Sequence, residues 1–436
     1  MNMIIKNFKP FSHVRLRQVM NDLKRRDVDA AKELNINLNK FRSILNGKIR
    51  LDEKLATKII NTWPIKYSEL LNPIIDKKNF KIMKSGESKK SSRIMKRKGN
   101  DYYEYRDTVI ERNAPFKPEW IRELCYVNNN LANNKKVRWN KGHLLHQFTY
   151  FVGKVNFYYM ENNKKKVAIL NTGDSMYITP YVPHSFATRD INKKSYIIAI
   201  TFEDKIYSQI QDELLNIDKK KINKFLINKS DKKKIVADLI NKYLKNLSLS
   251  LDEFQKRVKI KKIKNILIGK KDVNSAELKK IADALNINLR ELMPVEISKK
   301  VVVKKTKDSK KWYFPLNAKK YFLIKELASI KDVPSAKSIE MKVLTSNKYK
   351  FVSSAHQYIY VLSEKGNVFV NNRLVILKNK DTLYLKPFTE HFYPKKNQSF
   401  LILRVEGKIS GDVQMQISNF NFKDLKRARM EASQWF

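Results

Sequence analysis

The sequence predicts an α+β protein made of two repeats, each a helical unit followed by a β-barrel. The main evidence is a pair of matching stretches, TGDSMYITPYVPHSF over 172–186 and NKDTLYLKPFTEHFY over 379–393. They share four identities at one constant offset, and the apolar positions between those identities also match. Recurrence at a fixed spacing is the signature of a duplicated unit. We therefore expect both halves of the chain to fold alike.

A second pair of matching segments lies upstream in each half. His146-Gln147-Phe148 and His356-Gln357-Tyr358 each lead into stretches rich in Val, Tyr, Phe and Ile, with turn residues between them. Such stretches predict short β-strands. Many short strands separated by turns predict an antiparallel barrel or sandwich. We expect these barrels over residues 101–204 and 298–415.

The segments that precede the barrels have helical apolar spacing. Ile44-Leu45-Asn46-Gly47-Lys48 resembles Ile266-Leu267-Ile268-Gly269-Lys270, and each glycine can end a helix in the left-handed conformation. These features predict helix-turn-helix-like units. The expected segments outside the barrels are a helical unit over 1–77, a linker over 78–100, a helical connection over 205–249, a second helical unit over 250–297 and a tail over 416–436.

Composition limits the cellular setting. Hydrophobic residues make up 42% of the 436 residues, which is enough for sizeable cores, and no apolar run is long enough to span a membrane. The N-terminal stretch lacks the apolar core of a signal peptide. Cys125 is the only cysteine, so an internal disulfide and a thiolate-rich zinc site are excluded. We expect a cytoplasmic protein that does not enter a membrane.

The net charge of +47 has two interpretations. A large positive charge is typical of proteins that bind nucleic acid or other polyanions. Here the excess is mostly lysine, spread along the whole chain together with many Asn and Ile residues, as expected from a coding sequence rich in A and T. The sequence therefore favours diffuse charge over a specific nucleic-acid surface. Diffuse positive charge still attracts small dianions.

The richest stretch for chemistry runs from Asn140 to Tyr150. Side chains alternate faces along a strand, so His143 and Gln147 point one way and His146 points the other. The following hairpin returns the chain to His184. An isolated histidine is usually a core or surface residue, but two histidines and one oxygen donor on one face leave three positions open on a metal. That ligand set predicts non-haem Fe(II).

These motifs resemble a known family. Asn-x-Gly-His-x-x-x-Gln-x-Thr-Tyr-Phe-Val-Gly over 140–153, followed by Gly-Asp-Ser-x-Tyr-Ile-x-Pro-x-Val-Pro-His-Ser-Phe over 173–186, is similar to the cupin iron oxygenases that cleave 2-hydroxyethylphosphonate. The resemblance covers nearly the whole chain and implies a bicupin fold. It also implies Fe(II) as cofactor and 2-hydroxyethylphosphonate and O2 as substrates. Whether the chain forms a homo-oligomer is left open.

Two positions separate the sister reactions of this family. The sister that forms hydroxymethylphosphonate and formate has a carboxylate ligand six residues before the last histidine, and this chain has Ile178 there. The sister that forms methylphosphonate and carbon dioxide has a glutamine four residues after the first histidine, which is Gln147 here. The resemblance therefore implies the methylphosphonate-forming reaction. His146 and Ile178 are expected to act around the ligands rather than as ligands.

The resemblance also implies residues that bind the phosphonate group. By family position these are Asn140, Arg93 and Tyr102, with Lys24 reaching over the site from the first helical unit. Lys96, Arg97 and Lys98 are rivals of Arg93, and Tyr103 and Tyr105 are rivals of Tyr102.

The second barrel departs from the ligand pattern. Gln357 matches Gln147, but Ser353 stands where His143 would be, and His391 has no histidine partner at that position. We expect this barrel to be structural. Two alternatives to the methylphosphonate-forming enzyme remain: the hydroxymethylphosphonate-forming dioxygenase, and a DNA-binding regulator with a cupin sensor domain. The modest basic character of the candidate recognition helix disfavours the regulator.

Overall fold

Helices occupy both ends of the chain and its middle, and strands occupy the two stretches between them. The computed structural model describes residues 10–436 except 74, 204, 205, 207, 228–230, 294–299, 316–319, 410 and 432. The chain divides into two units, one of residues 1–79 and 408–436 and one of residues 80–407.

The helices among the described residues are, in chain order, α1 His13–Asp22, α2 Asp27–Glu33, α3 Leu38–Leu45, α4 Glu53–Thr62, α5 Ser85–Lys90, α6 Ser208–Asn216, α7 Lys232–Asn246, α8 Leu251–Val258, α9 Ile263–Leu267, α10 Ser275–Ala284, α11 Gly411–Ile417 and α12 Phe422–Arg429. The strands are β1 Phe80–Met83, β2 Arg93–Arg97, β3 Asn100–Asp107, β4 Phe116–Glu123, β5 His146–Val152, β6 Val155–Glu161, β7 Lys164–Leu170, β8 Ser175–Ile178, β9 His184–Thr188, β10 Tyr196–Phe202, β11 Val301–Lys304, β12 Lys311–Phe314, β13 Phe322–Glu326, β14 Ala336–Val343, β15 His356–Val361, β16 Lys365–Val370, β17 Arg373–Lys378, β18 Thr382–Leu385, β19 His391–Phe392 and β20 Gln398–Val405.

The predicted helical segments are helical. In the first, α1 to α4 bury a core that includes Leu16, Phe41 and Ile59. In the second, α7 to α10 bury Phe254 and Ile281 around a comparable core. The prediction for the two glycines is confirmed, because Gly47 follows α3 with φ +72° and Gly269 follows α9 with φ +69°. The expected tail over 416–436 includes the end of α11 and all of α12, so part of it is helical.

The strands form two large and two small antiparallel sheets. We call the sheets of order β11-β8-β5-β10-β4-β3-β2 and β7-β6-β9 the first sheet pair. The second sheet pair has the orders β1-β18-β15-β20-β14-β13-β12 and β17-β16-β19. Apart from the edge strands β11 and β1, the strands of the two seven-stranded sheets correspond position by position, from β8 and β18 to β2 and β12. Both sheet pairs therefore have the same topology.

Each half contributes one edge strand to the other sheet pair. β1 precedes the first sheet pair in the chain but pairs with β18 of the second. β11 precedes the second sheet pair but pairs with β8 of the first. The stretch 78–100 is therefore not an unstructured linker, since it holds β1, α5 and β2. Its lysine-rich composition is compatible with strands because edge strands tolerate lysine on their exposed side.

The two seven-stranded sheets pack against each other through one apolar cluster, which includes Trp120, Ile198, Tyr358 and Leu403. Their opposite faces line separate interiors, each with its own cluster of buried residues. The first interior holds the predicted metal ligands. Among the described helices, none is both long enough and apolar enough to cross a membrane.

Candidate metal centre

The structure brings the three predicted ligands together inside the first sheet pair. Gln147 lies in β5, His184 begins β9, and His143 lies in the loop that leads into β5. The His143 and His184 ring centroids are 5.4 Å apart and the rings are nearly perpendicular. His143 Nε2 is 3.0 Å from Gln147 Oε1. Because His143 precedes the strand, the loop orients its side chain, and strand alternation does not.

A glycine shapes this loop. Gly142 has φ +77°, and a Cβ atom there would lie 2.6 Å from the carbonyl carbon of Tyr181. Only glycine fits such a close backbone approach at positive φ. The Tyr181 N–H donates to the carbonyl oxygen of His143 at 2.8 Å. The loop is thereby fastened to the segment that carries His184.

Both imidazoles are fixed in one orientation by their own backbone. His143 Nδ1 is 2.8 Å from the carbonyl oxygen of Leu145, and His184 Nδ1 is 2.9 Å from that of Val182. When each Nδ1–H donates to its carbonyl, each Nε2 carries the lone pair that a metal needs. Burial lowers the pKa of His184 to about 4, so this ring is neutral at physiological pH.

The amide of Gln147 is also held in one orientation. Its Nε2 donates to Thr149 Oγ1 at 2.8 Å, which turns Oε1 toward His143. Two lone-pair atoms then face each other at 3.0 Å, an arrangement that a cation between them stabilises. Ligands at about 2.1 Å from one octahedral metal ion and at a right angle to each other are about 3.0 Å apart. The donor set therefore fits a metal ion.

A glutamine is needed to complete such a site. Among the described residues, no group of three or more His, Cys, Asp or Glu side chains is placed to hold a metal ion. Two imidazoles and one amide oxygen form the set that converges here. Imidazole and oxygen ligands suit Fe(II), and a three-residue set leaves positions open for substrate.

Asn140 links the loop to His184. Its Oδ1 accepts the N–H of Gly142 at 3.0 Å and the N–H of His184 at 2.8 Å. Its Nδ2 lies 3.0 Å from His184 Nε2, where it donates to the lone pair. A metal on His184 takes that lone pair. The amide N–H of Asn140 then becomes a free donor beside the metal.

Ile178 and His146 lie on opposite sides of the sheet. Ile178 is directly opposite Gln147 in the β5–β8 pair, so both side chains point into the first interior. It is fully buried. His146 points the other way, where Nδ1 is 2.8 Å from the hydroxyl of Tyr177 and the ring stacks on Phe202. It does not converge with the three ligands.

Arg93 and Tyr102 have other partners. Arg93 donates to Asp107 at 2.7 Å and lies 3.7 Å from Glu119. The Tyr102 hydroxyl is 2.9 Å from Ser185 Oγ and accepts the N–H of Arg138 at 2.9 Å. Burial raises the pKa of Tyr102 to about 12. Within the described part of the chain, no hydrogen bond or ion pair joins either side chain to His143, Gln147 or His184.

Arg97 and Tyr105, the rivals of Arg93 and Tyr102, also lie in the first sheet pair. Arg97 lies 3.5 Å from Ser185 Oγ, and its charge contributes to the lowered pKa of His184. It lines a cavity of about 470 Å³ together with Lys98, Arg138 and Asn140. Burial, and then the charge of Glu119, raise the pKa of Tyr105 to about 12. Glu119 in turn lies within electrostatic range of His143.

A β-bulge lies between Arg93 and Arg97 in β2. The β2–β3 register shifts between Met95 and Lys96. A bulge inserts one residue and reverses the alternation of faces beyond it. Counting faces from either end of β2 therefore gives different answers for Arg93 and Arg97. No composition signal in this lysine-rich stretch marks the bulge.

Lys24 belongs to the unit of residues 1–79 and 408–436. Its ammonium group donates to the carbonyl oxygen of Asn21 at 3.1 Å and lies 4.1 Å from the ring centroid of Trp435. Its expected reach over the substrate stays a prediction.

The second sheet pair holds a different set at the corresponding place. Gln357 and His391 are fully buried, and Ser353 takes the place of His143. Arg404 Nε donates to Gln357 Oε1 at 3.0 Å. Arg404 is directly opposite Gln357 in the β15–β20 pair, whereas Thr201 is directly opposite Gln147 in the β5–β10 pair. A guanidinium thus lies beside the second glutamine.

Comparison with known proteins identifies relatives over the whole chain. No protein-family model matches. The methylphosphonate synthase of Nitrosopumilus maritimus is 38% identical over 448 aligned positions, which cover 99% of this chain and 97% of that protein. The (S)-2-hydroxypropylphosphonic acid epoxidase of Streptomyces wedmorensis is 27% identical over 103 residues, covering 23% of this chain and 50% of that protein.

Solved structures agree in fold. The Streptomyces albus HEPD with 2-hydroxyethylphosphonate and Fe(II) bound has a TM-score of 0.90 and 29% identity, with 97% of this chain and 98% of that chain covered. PhpD with cadmium atoms has a TM-score of 0.76 and 18% identity, covering 96% of this chain and all of that one. At that identity PhpD supports the fold alone.

Proposed function

This chain belongs to the methylphosphonate synthase family, and we propose that His143, Gln147 and His184 hold its iron. The protein is an Fe(II) oxygenase that acts on 2-hydroxyethylphosphonate and gives methylphosphonate. One observation supports the ligand assignment above the others. Two immobilised imidazoles and one immobilised amide oxygen turn their lone pairs toward the same interior point.

The pair Gln147 and Ile178 supports methylphosphonate as the product. The ligand set of the sister reaction includes a carboxylate and would need Asp or Glu at 178, where this chain has a fully buried isoleucine. A neutral amide leaves bound Fe(II) with its full double charge, whereas a carboxylate would neutralise half of it. A dianionic phosphonate then binds opposite a stronger positive field.

Residues around the ligands supply donors for the phosphonate oxygens. Asn140 presents its amide N–H to the same place once a metal occupies the His184 lone pair. We assign Arg97 and Tyr105 as further phosphonate donors, because Arg97 borders the same cavity as Asn140 and Tyr105 lies near Glu119 and Arg97. Arg-phosphonate hydrogen bonds are charge-assisted and therefore strong. Arg93 and Tyr102 would need to leave their present partners to take this role.

The reaction balances without an external reductant. 2-Hydroxyethylphosphonate and O2 give methylphosphonate, carbon dioxide and water, so the substrate carbon that leaves supplies all four electrons that O2 accepts. An Fe(II) ion held by His143, Gln147 and His184 would supply the redox chemistry that activates O2 beside the substrate. The residues of the chain hold the substrate's phosphonate, and the apolar wall of Ile178 and its neighbours excludes water from the centre.

We also propose that the chain arose by duplication of a helix-turn-helix-like unit joined to a cupin-type barrel. The matching strand orders and the matching glycines after α3 and α9 support this. The similarity to methylphosphonate synthase extends over 99% of the chain, so the helical segments belong to the enzyme family's own architecture. A separate DNA-binding function is not needed to explain them.

Phosphorus NMR of the products tests the proposal. Anaerobic loading with Fe(II), followed by 2-hydroxyethylphosphonate and O2, should give methylphosphonate as the main phosphorus product. The same reaction with His143→Ala should give none, since two ligands are too few to retain Fe(II). Hydroxymethylphosphonate as the main product of the parent would contradict the product assignment. Normal turnover in His143→Ala would contradict the ligand assignment.

A further inference from the structure

The interior of the second sheet pair contains a cluster of buried polar groups that the iron reaction does not use. Gln357, His391 and Tyr393 are each 1% exposed or less. Among the described residues, the Gln357 Nε2, His391 Nε2 and Tyr393 hydroxyl groups have no hydrogen-bond partner. A buried polar group without a hydrogen-bond partner lowers the stability of the fold. Three of them in one interior therefore call for a ligand.

Arg404 lies beside Gln357, the counterpart of Gln147, and His391 is the counterpart of His184. Its Nε donates to Gln357 Oε1, which leaves Gln357 Nε2 as a donor beside the guanidinium. The His391 and Tyr393 ring centroids are 5.7 Å apart, and Phe351 stacks on His391 at 5.7 Å. The charge of Arg404 acts on both rings, since it contributes to the lowered pKa of His391 and opposes the rise in the pKa of Tyr393.

The guanidinium of Arg404 determines that the ligand carries a negative charge. Within the described part of the chain no carboxylate forms an ion pair with it, and its one side-chain hydrogen bond goes to a neutral amide. A fixed positive charge beside Gln357 repels a metal cation from this interior. The same charge attracts an anion, and an arginine fork suits oxyanions in particular.

We propose that Gln357, His391, Tyr393 and Arg404 bind a small oxyanion that keeps one O–H group. Arg404, Gln357 Nε2 and the Tyr393 hydroxyl donate to its oxygens. His391 Nδ1 is 3.0 Å from the carbonyl oxygen of Thr389 and donates to it, so its Nε2 accepts a hydrogen bond from the ligand's O–H. Bicarbonate and a monoprotonated alkylphosphonate both have this chemistry. The site is separate from the iron centre and does not depend on its assignment.

Thermal unfolding of the iron-loaded full chain tests this site. A ligand that binds the native state raises Tm. Sodium bicarbonate and methylphosphonate are compared with sodium chloride at equal ionic strength. We expect at least one of the two oxyanions to raise Tm by about 2 °C or more above chloride. A rise with bicarbonate alone identifies a planar ligand, and a rise with methylphosphonate alone identifies a tetrahedral one.

Three variants locate the effect. Tyr393→Phe removes only a hydroxyl that has no protein partner, so the fold should persist while the anion-dependent rise falls by at least half. Arg404→Gln should abolish the rise. His143→Ala should keep it, because that residue belongs to the other sheet pair.

The proposal is overturned if neither oxyanion raises Tm more than chloride. It is also overturned if the rise in Tyr393→Phe equals that of the parent, or if the rise disappears in His143→Ala. Should Arg404→Gln fail to fold, Tyr393→Phe alone decides the matter.

Discussion

The two sheet pairs have the same strand order but differ at two interior positions. The first has His143 and Thr201 around Gln147, and the second has Ser353 and Arg404 around Gln357. In the first interior, lone pairs converge with no cation among the side chains that supply them. In the second, the oxygen of the matching glutamine already accepts a hydrogen bond from the guanidinium of Arg404. One scaffold thus suits a metal ion in one copy and excludes it in the other.

On the outward faces of the same strands, the two halves are alike. His146 bonds to Tyr177 at 2.8 Å, and His356 bonds to Tyr384 at 2.6 Å. Both histidines lie at the start of a strand, at matching positions, and point away from the interior. His146 and His356 therefore act in packing in both halves. Of the two histidines proposed as ligands, His184 has a counterpart in His391, whereas His143 has Ser353 at its matching position.

The largest difference between the two sheet pairs is expected when each glutamine is replaced. Gln147→Ala should lower iron affinity by at least about 100-fold, because a ligand is worth more than a residue that only orients one. Gln357→Ala should leave iron binding unchanged, since Arg404 is its partner. Anaerobic iron titration of both variants checks this. Equal effects from the two substitutions would show that the sheet pairs do not differ as proposed.

The position opposite each glutamine sharpens the comparison. Ile178→Glu should place a carboxylate beside Gln147, tighten iron binding and shift the product from methylphosphonate toward hydroxymethylphosphonate, as seen by phosphorus NMR. Without iron, the buried carboxylate should destabilise the fold by several kcal/mol. Leu385→Glu is the matched control, because Leu385 is directly opposite Gln357.

Leu385→Glu should place its carboxylate near Arg404 and create no iron site. An unchanged product ratio in a soluble, iron-loaded Ile178→Glu protein would contradict the proposed role of position 178. A second iron in Leu385→Glu would contradict the view that Arg404 excludes cations.

A buried acid in the first interior predicts a pH effect that the second lacks. Glu123 pairs across from Tyr103 in β3, at the place where Val343 pairs across from Phe322 in β13. Burial raises the pKa of Glu123 from 4.5 to about 8. The native state therefore holds its proton where the unfolded chain has lost it, and stability falls as pH rises from about 4.5 to 8.

Glu123→Gln should remove this dependence. The stability gained relative to the parent should grow by roughly 3 kcal/mol between pH 5 and 7.5. Urea unfolding midpoints at the two pH values measure it. A gain that is the same at both would mean that Glu123 ionises normally in the folded protein.

The smallest expected effects concern the outward histidines. His146→Ala and His356→Ala each lose one hydrogen bond and ring packing, so each should cost about 1 to 2 kcal/mol of stability. Iron content and product should stay as in the parent. Loss of iron in His146→Ala, with an intact circular dichroism spectrum, would move the metal centre to the other face of β5.

The sequence predicted the two-part strand pattern, which follows from local spacing. It also predicted that His143, Gln147 and His184 converge, but the loop before β5 orients His143, and strand alternation does not. It could not predict that β1 and β11 exchange partners between the sheet pairs, since strand pairing over such distances leaves no local signal. The same limit applies to the bulge at Met95 and Lys96, which lies between Arg93 and Arg97 and changes the alternation of faces along β2.

The sequence also gave no sign of Arg404. Its importance comes from the pairing of β15 with β20, which sets it directly opposite Gln357. In a chain with 90 lysines and arginines, an arginine within an apolar strand does not by itself indicate a binding site. The serine at 353 led to the expectation that the second barrel is structural, which stays a prediction. The buried positive charge of Arg404 had no signal in the sequence.

Iron counting in one matched pair of variants tests the central claim most directly. His184 and His391 occupy equivalent positions in the two sheet pairs, and both are buried. The parent protein, loaded anaerobically and desalted, should retain one iron per chain. His391→Ala should also retain one, and His184→Ala should retain none. Two irons in the parent, or loss of the iron in His391→Ala but not in His184→Ala, would contradict the account.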